Sequence, residues 1–154
     1  MTRRLGGPRA SLPAFALLAA AAAAPAGAQT HGQAQLNEAG DWSWYELAGR
    51  RIANTYPEDG AELRVECPTE DGRPGRIGAW FAGEPVVGSA GLSFDGGAPI
   101  ETSFLADGFV SGTESFEGLL GRLRAGGELT LTYVAGASIR YSLNGASAAI
   151  GDCR

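Results

Sequence analysis

The sequence contains no lysine, and histidine occurs once. All twelve basic residues are arginines, a bias that we attribute to genomic composition. The single histidine, His31, lies in a polar stretch without periodicity, so a Ser-His-Asp triad would have no histidine inside a folded domain. Zinc-ligand spacing, phosphate-binding glycine loops and nucleophile elbows are absent from the sequence as well. The sequence therefore predicts no metal site and no cofactor.

Long hydrophobic runs are also scarce, and the longest one lies near the N-terminus. Three arginines among the first nine residues precede an uncharged apolar run at 14–24, and a small-x-small site follows. This order is typical of a secretory signal peptide over residues 1–28, with cleavage between Ala28 and Gln29. A membrane-spanning helix needs about 20 apolar residues. We therefore predict a periplasmic or secreted bacterial protein with no membrane span after cleavage.

Cleavage at this site would leave a chain with few positively charged residues. The remaining 126 residues carry nine arginines against seventeen carboxylates, a formal net charge of −8. An acidic balance argues against nucleic acid and anionic lipid as partners. The length suits one domain with a substantial core. We expect residues 29–41 to be a flexible leader and residues 42–154 to form a single β-rich domain.

Short alternating runs dominate that domain. Apolar residues alternate with polar ones over 61–67, 129–133 and 139–143, which indicates half-buried strands. Turn signals separate these runs at short intervals. The predicted fold is mainly β: an antiparallel β-sandwich or curled sheet of about seven or eight short strands.

In one segment the apolar residues recur at helical spacing instead of alternating. Phe116, Leu119, Leu120 and Leu123 follow the spacing of one helix face, and a glycine pair ends the pattern. We predict an amphipathic helix over about 113–125. A short helical turn is expected over 146–150, close to the last cysteine.

The chain has two cysteines, and neither belongs to a CxxC motif. Cys67 ends the alternating run at 61–67 on its inward face, and Cys153 follows the predicted terminal turn. In an oxidising compartment the expected outcome is a Cys67–Cys153 disulfide. A redox-active or metal-binding pair is the alternative.

Candidate binding residues cluster near one predicted hairpin. Arg73, Arg76 and Trp80 lie there together with Arg64, in an otherwise acidic chain. Arginine and tryptophan are enriched where interfaces carry binding energy. The alternative is a solvated loop. Trp42 and Trp44 are expected to cover one end of the core, with an exposed aromatic platform as the alternative.

Carboxylates offer the one route to catalysis. Asp95, Asp107, Glu114 and Glu117 all lie between two predicted core segments. Paired carboxylates perform acid–base chemistry when their environments separate their pKa values. Turn formation explains the two aspartates equally well, and helix N-terminal charge explains the two glutamates. No catalytic residue is predicted.

Three stretches resemble a known family: LSFDGG at 92–97, LLGRLRAGGELTLTY at 119–133 and SIRYSLNGASAAI at 138–150. Together they resemble the C-terminal part of the invasion-associated locus B family of exported bacterial proteins. The last stretch and its late cysteine also resemble accessory lipoprotein-like proteins of the type VI secretion apparatus. The first family carries further cysteines in its middle, which this chain lacks. The resemblance implies an exported β-rich module without a known catalytic centre.

These observations favour a non-enzymatic exported module that binds an envelope or host protein. A small periplasmic hydrolase or enzyme inhibitor, acting through carboxylates or an exposed loop, is the alternative from another class. A structural envelope protein is the third hypothesis.

Overall fold

A computed structural model describes residues 35–57, 60–112, 114–133 and 136–153. The predicted signal peptide, its cleavage site at Ala28 and Gln29, and His31 lie outside these residues. The described part contains two antiparallel sheets and two short helices, which confirms the predicted mainly β fold.

Sheet A is a meander in which every strand pairs with its neighbour in sequence. Its six strands are β1 (Asn37–Ala39), β2 (Trp42–Leu47), β3 (Arg50–Thr55), β4 (Ala61–Glu66), β5 (Arg76–Phe81) and β6 (Glu84–Pro85). Strand β1 falls inside the segment 29–41 that was expected to be a flexible leader. Its three residues pair with Trp42, Ser43 and Trp44 of β2, so this part belongs to the sheet.

Sheet B has the order β11-β10-β7-β8-β9. Its strands are β7 (Gly88–Phe94), β8 (Ile100–Phe104), β9 (Val110–Gly112), β10 (Glu128–Tyr133) and β11 (Ala137–Ser142). Eight of the eleven strands have five or more residues, the number that alternation predicts. The other three, β1, β6 and β9, are too short for an alternating pattern to reveal.

Alternation places one row of each strand in the core. Sheet A contributes Leu63, Val65, Ile77 and Ala79, all at most 5 % exposed. Sheet B contributes Leu92, Phe104, Leu129, Leu131, Ile139 and Tyr141 to the same cluster. The alternation predicted over 61–67, 129–133 and 139–143 therefore places the apolar residues of these runs toward the core. On β5, Phe81 at the end of the strand is 43 % exposed.

Helix α1 (Phe116–Ala125) closes one side of the core through Leu119, Leu120 and Leu123. It begins three residues later than the predicted start at 113, because Ser115 is the N-cap and its hydroxyl accepts a hydrogen bond from the Gly118 amide. The predicted end at residue 125 is confirmed, and the Gly126 amide donates to the Arg122 carbonyl. The predicted terminal turn is helix α2 (Ala146–Ile150), which packs against α1 and β1 to β3.

The two cysteines form the predicted disulfide, with their Cα atoms 4.9 Å apart. Cys67 extends β4, and Cys153 follows α2. The bond therefore fastens helix α2 to sheet A.

The sheets also meet at one corner, which we call the β5–β9 junction. The Ala79 amide donates to the Gly108 carbonyl, and Gly78 forms an isolated β-bridge with Phe109. These bonds bring the turn before β9 against the edge of β5. The outer side of sheet A thereby acquires a side chain from outside the sheet.

Candidate functional site

The outer side of sheet A carries the main candidate site. Residues that alternate with the core positions on β2 to β5 point away from the core. We call this surface the arginine–aromatic face, and it comprises Ser43, Tyr45, Arg50, Ile52, Asn54, Tyr56, Glu62, Arg64, Glu66, Arg76 and Trp80, with Phe109 from the β5–β9 junction.

Strand register orders this face into rows that run across the strands. One row joins Ser43, Asn54, Arg64 and Gly78, and the next joins Tyr45, Ile52, Glu66 and Arg76. Directly opposed side chains in a sheet lie close enough to interact. The Ser43 hydroxyl accordingly contacts Asn54 Oδ1 at 2.7 Å. The face is therefore held by its own cross-strand contacts.

Arg64 and Trp80 form the first half of the face. The guanidinium carbon of Arg64 lies 4.5 Å from the centre of the Trp80 ring, and its Nη2 lies 2.7 Å from Glu62 Oε1. Burial alone would lower the pKa of Arg64, but the hydrogen bond and the charge of Glu62 raise it on balance. The Arg64 guanidinium is therefore fixed in orientation while its side chain stays 28 % exposed.

Tyr56 extends this half toward β3. Its hydroxyl accepts a hydrogen bond from Asn54 Nδ2 at 2.8 Å and donates one to Glu62. Burial and then the negative charge of Glu62 raise the pKa of Tyr56. Tyr56 is nevertheless 58 % exposed, so the ring is open to a partner.

Arg76 and Phe109 form the second half. The guanidinium carbon of Arg76 lies 3.8 Å from the centre of the Phe109 ring, and Arg76 Nη2 lies 2.9 Å from Glu66 Oε2. Buried Arg50 pairs with the same Glu66 oxygen. The Phe109 ring also meets Trp80 edge to face, with ring centres 5.2 Å apart. The two arginine–aromatic pairs are thus side by side.

The structure brings together two of the three predicted binding residues. Arg76 and Trp80 both contact Phe109 on the arginine–aromatic face. Arg73 lies apart, on the loop after Cys67, where it pairs with Asp71 and donates to the Ala48 carbonyl at 3.3 Å. Hydrogen bonds from Thr69 and then Arg73 lower the pKa of Asp71.

Phe109 is central to the face, yet it is not among the binding residues that the sequence predicts. It follows an Asp-Gly turn, and the sequence assigns it no role. A signal was present in Gly78, because an isolated glycine inside a strand often marks the close approach of another group. A Cβ atom at Gly78 would lie 2.9 Å from Phe109 Cδ1 and 2.7 Å from Trp80 Cη2.

A half-open cavity of about 300 Å³ adjoins the face at the β5–β9 junction. We call it the corner cavity. Its apolar lining consists of Ile77, Leu105, Phe109, Val110, Phe116 and Leu119, and its charged side chains are Arg76, Asp107 and Glu114.

Two of the four candidate carboxylates therefore line one cavity, and both are paired with arginine. Asp107 Oδ2 lies 3.5 Å from Arg76 Nη1, and its side chain is 55 % exposed. Glu114 Oε1 lies 3.1 Å from Arg122 Nε. Asp95 instead accepts the Gly127 and Glu128 amides, a structural role. This geometry favours structural over catalytic roles for Asp95, Asp107 and Glu114.

Trp42 and Trp44 lie on the inner side of sheet A. Trp42 is 1 % exposed and its Nε1 donates to the Ser142 carbonyl at 2.9 Å. The guanidinium carbon of Arg51 covers the Trp44 ring at 3.9 Å. These contacts support the expected core role rather than an open aromatic platform.

Among the described residues, no helix is both long and apolar enough to cross a bilayer. Within the same part of the chain, no three His, Cys, Asp or Glu side chains converge as ligands for a metal ion.

The structure defines a disulfide-bonded protein of two antiparallel sheets with an arginine–aromatic surface on one of them. The fold is similar to that of invasion associated protein B from Bartonella henselae, with a TM-score of 0.51 and 19 % sequence identity over 75 % of this chain and 93 % of that chain. At this identity the likeness is one of fold. No protein-family model and no curated protein matches the sequence.

Proposed function

We propose that this protein is an exported, non-enzymatic module of the bacterial envelope that binds a protein partner through its arginine–aromatic face. The observation that carries the proposal is the pair of adjacent stacks, Arg64 on Trp80 and Arg76 on Phe109. Membership of the invasion-associated locus B family is part of the proposal.

The chemistry of the face suits a protein partner. Arginine, tryptophan and tyrosine dominate the residues that carry interface energy. Each arginine retains solvent access, 28 % for Arg64 and 40 % for Arg76, while a ring and a carboxylate hold its orientation. Binding to side chains already held in place costs less conformational entropy than ordering free ones.

Two further observations support export. The N-terminal pattern is that of a signal peptide, and a disulfide persists mainly in oxidising compartments. The fold likeness to an invasion-associated protein is consistent with both. Cell fractionation of a tagged full-length chain tests this part: we expect the tag in the periplasm or the medium, and a purely cytoplasmic tag would refute export.

Capture from a bacterial envelope fraction tests the binding face. The mature protein and its Arg64→Ala and Trp80→Ala variants serve as baits, and each carries a cross-linker. The matched controls are Arg140→Ala, which changes an exposed residue of β11, and Phe81→Ala, which removes the neighbouring ring of β5. We expect each face variant to lower partner recovery at least about tenfold, equivalent to about 1.4 kcal/mol. Equal recovery by all five proteins would refute the face as the binding site.

A further inference from the structure

The corner cavity is lined both by apolar side chains and by charged groups that already have partners. Ile77 and Leu119 at its base belong to the core, whereas Leu105 on its wall is 51 % exposed. The exposed part of the Leu105 side chain is apolar surface that a partner could remove from water. Covering that wall with apolar surface would be favourable.

The charges around the cavity do not call for a charged occupant. Arg76 contacts Glu66 and Asp107, and Glu114 contacts Arg122. A ligand carboxylate would compete with Asp107 and Glu114, and a ligand cation would compete with the two arginines. An uncharged group avoids both costs.

The volume of the cavity limits the size of the group that it can hold. A volume of about 300 Å³ is at the lower limit of cavities that hold small molecules. One leucine- or phenylalanine-sized side chain fits this volume. Burying such a side chain contributes about 1.5–3 kcal/mol, the scale of an interface anchor.

We propose that the corner cavity receives a single uncharged apolar side chain, leucine- or phenylalanine-sized, from the protein partner. This inference rests on the proposed function, because the cavity shares Arg76 and Phe109 with the arginine–aromatic face. An occupant of the cavity therefore lies next to the two stacks, and one partner segment reaches both.

Methyl NMR of the mature protein tests the site directly with N-acetyl-leucinamide, N-acetyl-phenylalaninamide and N-acetyl-glycinamide as probes. We expect the first two to shift the methyl signals of Ile77, Val110 and Leu119 saturably, with half-saturation in the millimolar range, about that of a single-anchor contact. N-acetyl-glycinamide lacks the side chain and leaves them unchanged. Identical responses to all three probes, or no response to any, would overturn the proposal.

A second experiment fills the cavity with a larger side chain by substitution. Leu105→Trp places a larger side chain on the wall, and Val87→Trp does the same at a residue of similar exposure outside the cavity. We expect Leu105→Trp to abolish the probe-induced shifts and to reduce partner recovery about tenfold, with Val87→Trp unchanged in both. Ser111→Phe, also on the cavity wall, repeats the test if Leu105→Trp unfolds.

The two proposals fail in different ways. Recovery that depends on Trp80 but not on Leu105 would refute the anchor and leave the binding face in place. Probe binding at Ile77 and Leu119 with recovery indifferent to Arg64 and Trp80 would refute the binding face as proposed.

Discussion

Gly78 on β5 packs against the ring of Phe109, the residue that directly precedes β9 of the other sheet. They form a β-bridge, and the next residue, Ala79, donates to the Gly108 carbonyl at 3.0 Å. The contact places Phe109 under the Arg76 guanidinium and against Trp80. The second half of the arginine–aromatic face therefore depends on the absence of a side chain at residue 78.

Gly78→Ala is expected to lower the free energy of unfolding by about 1–3 kcal/mol, because an added methyl group overpacks this contact. Gly121→Ala is the matched control, since a Cβ atom there meets no neighbour and the residue lies within α1. That substitution should raise stability by about 0.5–1 kcal/mol. Urea unfolding of both variants is the measurement, and a neutral Gly78→Ala would contradict the packing described.

Replacing both cysteines by alanine should lower the free energy of unfolding by several kcal/mol. The sequence separation of 86 residues corresponds to about 4.6 kcal/mol of loop-closure entropy, an upper figure because the reduced unfolded chain retains structure. Thermal unfolding with and without reductant checks this in the unaltered protein. An unchanged midpoint in the double variant would show that the bond is dispensable.

Asp95 links the end of α1 to sheet B. Its Oδ1 accepts the Gly127 and Glu128 amides at 2.8 and 2.9 Å. Asp95→Ala removes both charge-assisted bonds and should cost about 1.5–3 kcal/mol. Asp95→Asn keeps an acceptor oxygen and suits the positive φ of 51° at this residue, so it should cost much less. Equal losses in the two variants, measured by chemical unfolding, would rule out the acceptor role.

We expect Tyr56 to contribute to a fall in stability at alkaline pH. Its pKa is raised in the folded state, so the folded protein holds the phenolic proton at a pH where the unfolded chain has lost it. The contribution is complete below the ordinary value of about 10 and disappears as pH rises through the folded pKa. Tyr56→Phe should flatten the decline in unfolding free energy as pH rises above about 10. A decline of unchanged steepness would show that Tyr56 is not its source.

Local patterns in the sequence predict most of the fold. Alternation assigns Leu63, Val65, Leu129 and Leu131 to the core, and helical spacing assigns Leu119 and Leu123 to the buried side of α1. The cysteine pairing follows because only two cysteines are present. The short strands β1 and β9 escape prediction because pairing partners, rather than their own residues, define them.

The sequence predicts only part of the candidate site. Arg76 and Trp80 are recognised because their residue types are unusual on an acidic chain. Their link to Phe109 and Asp107 is a tertiary contact made by residues about thirty positions apart, and it depends on how the sheets meet. Proximity in sequence groups Arg73 with them, yet its loop turns it toward Asp71 and Ala48.

The meander of sheet A has a kinetic consequence. Each of its strands pairs with the strand beside it in sequence, so short loop closures suffice to assemble it. In sheet B, β7 and β8 and also β10 and β11 are neighbours in sequence, but the pairing of β7 with β10 joins strands on either side of helix α1. Because local pairings form fastest, we expect the strands that carry Arg64 and Trp80 to acquire hydrogen-exchange protection earlier during refolding than the amides that pair β7 with β10. The arginine–aromatic face would then be partly formed before the second sheet closes, and the packing of Phe109 would complete it.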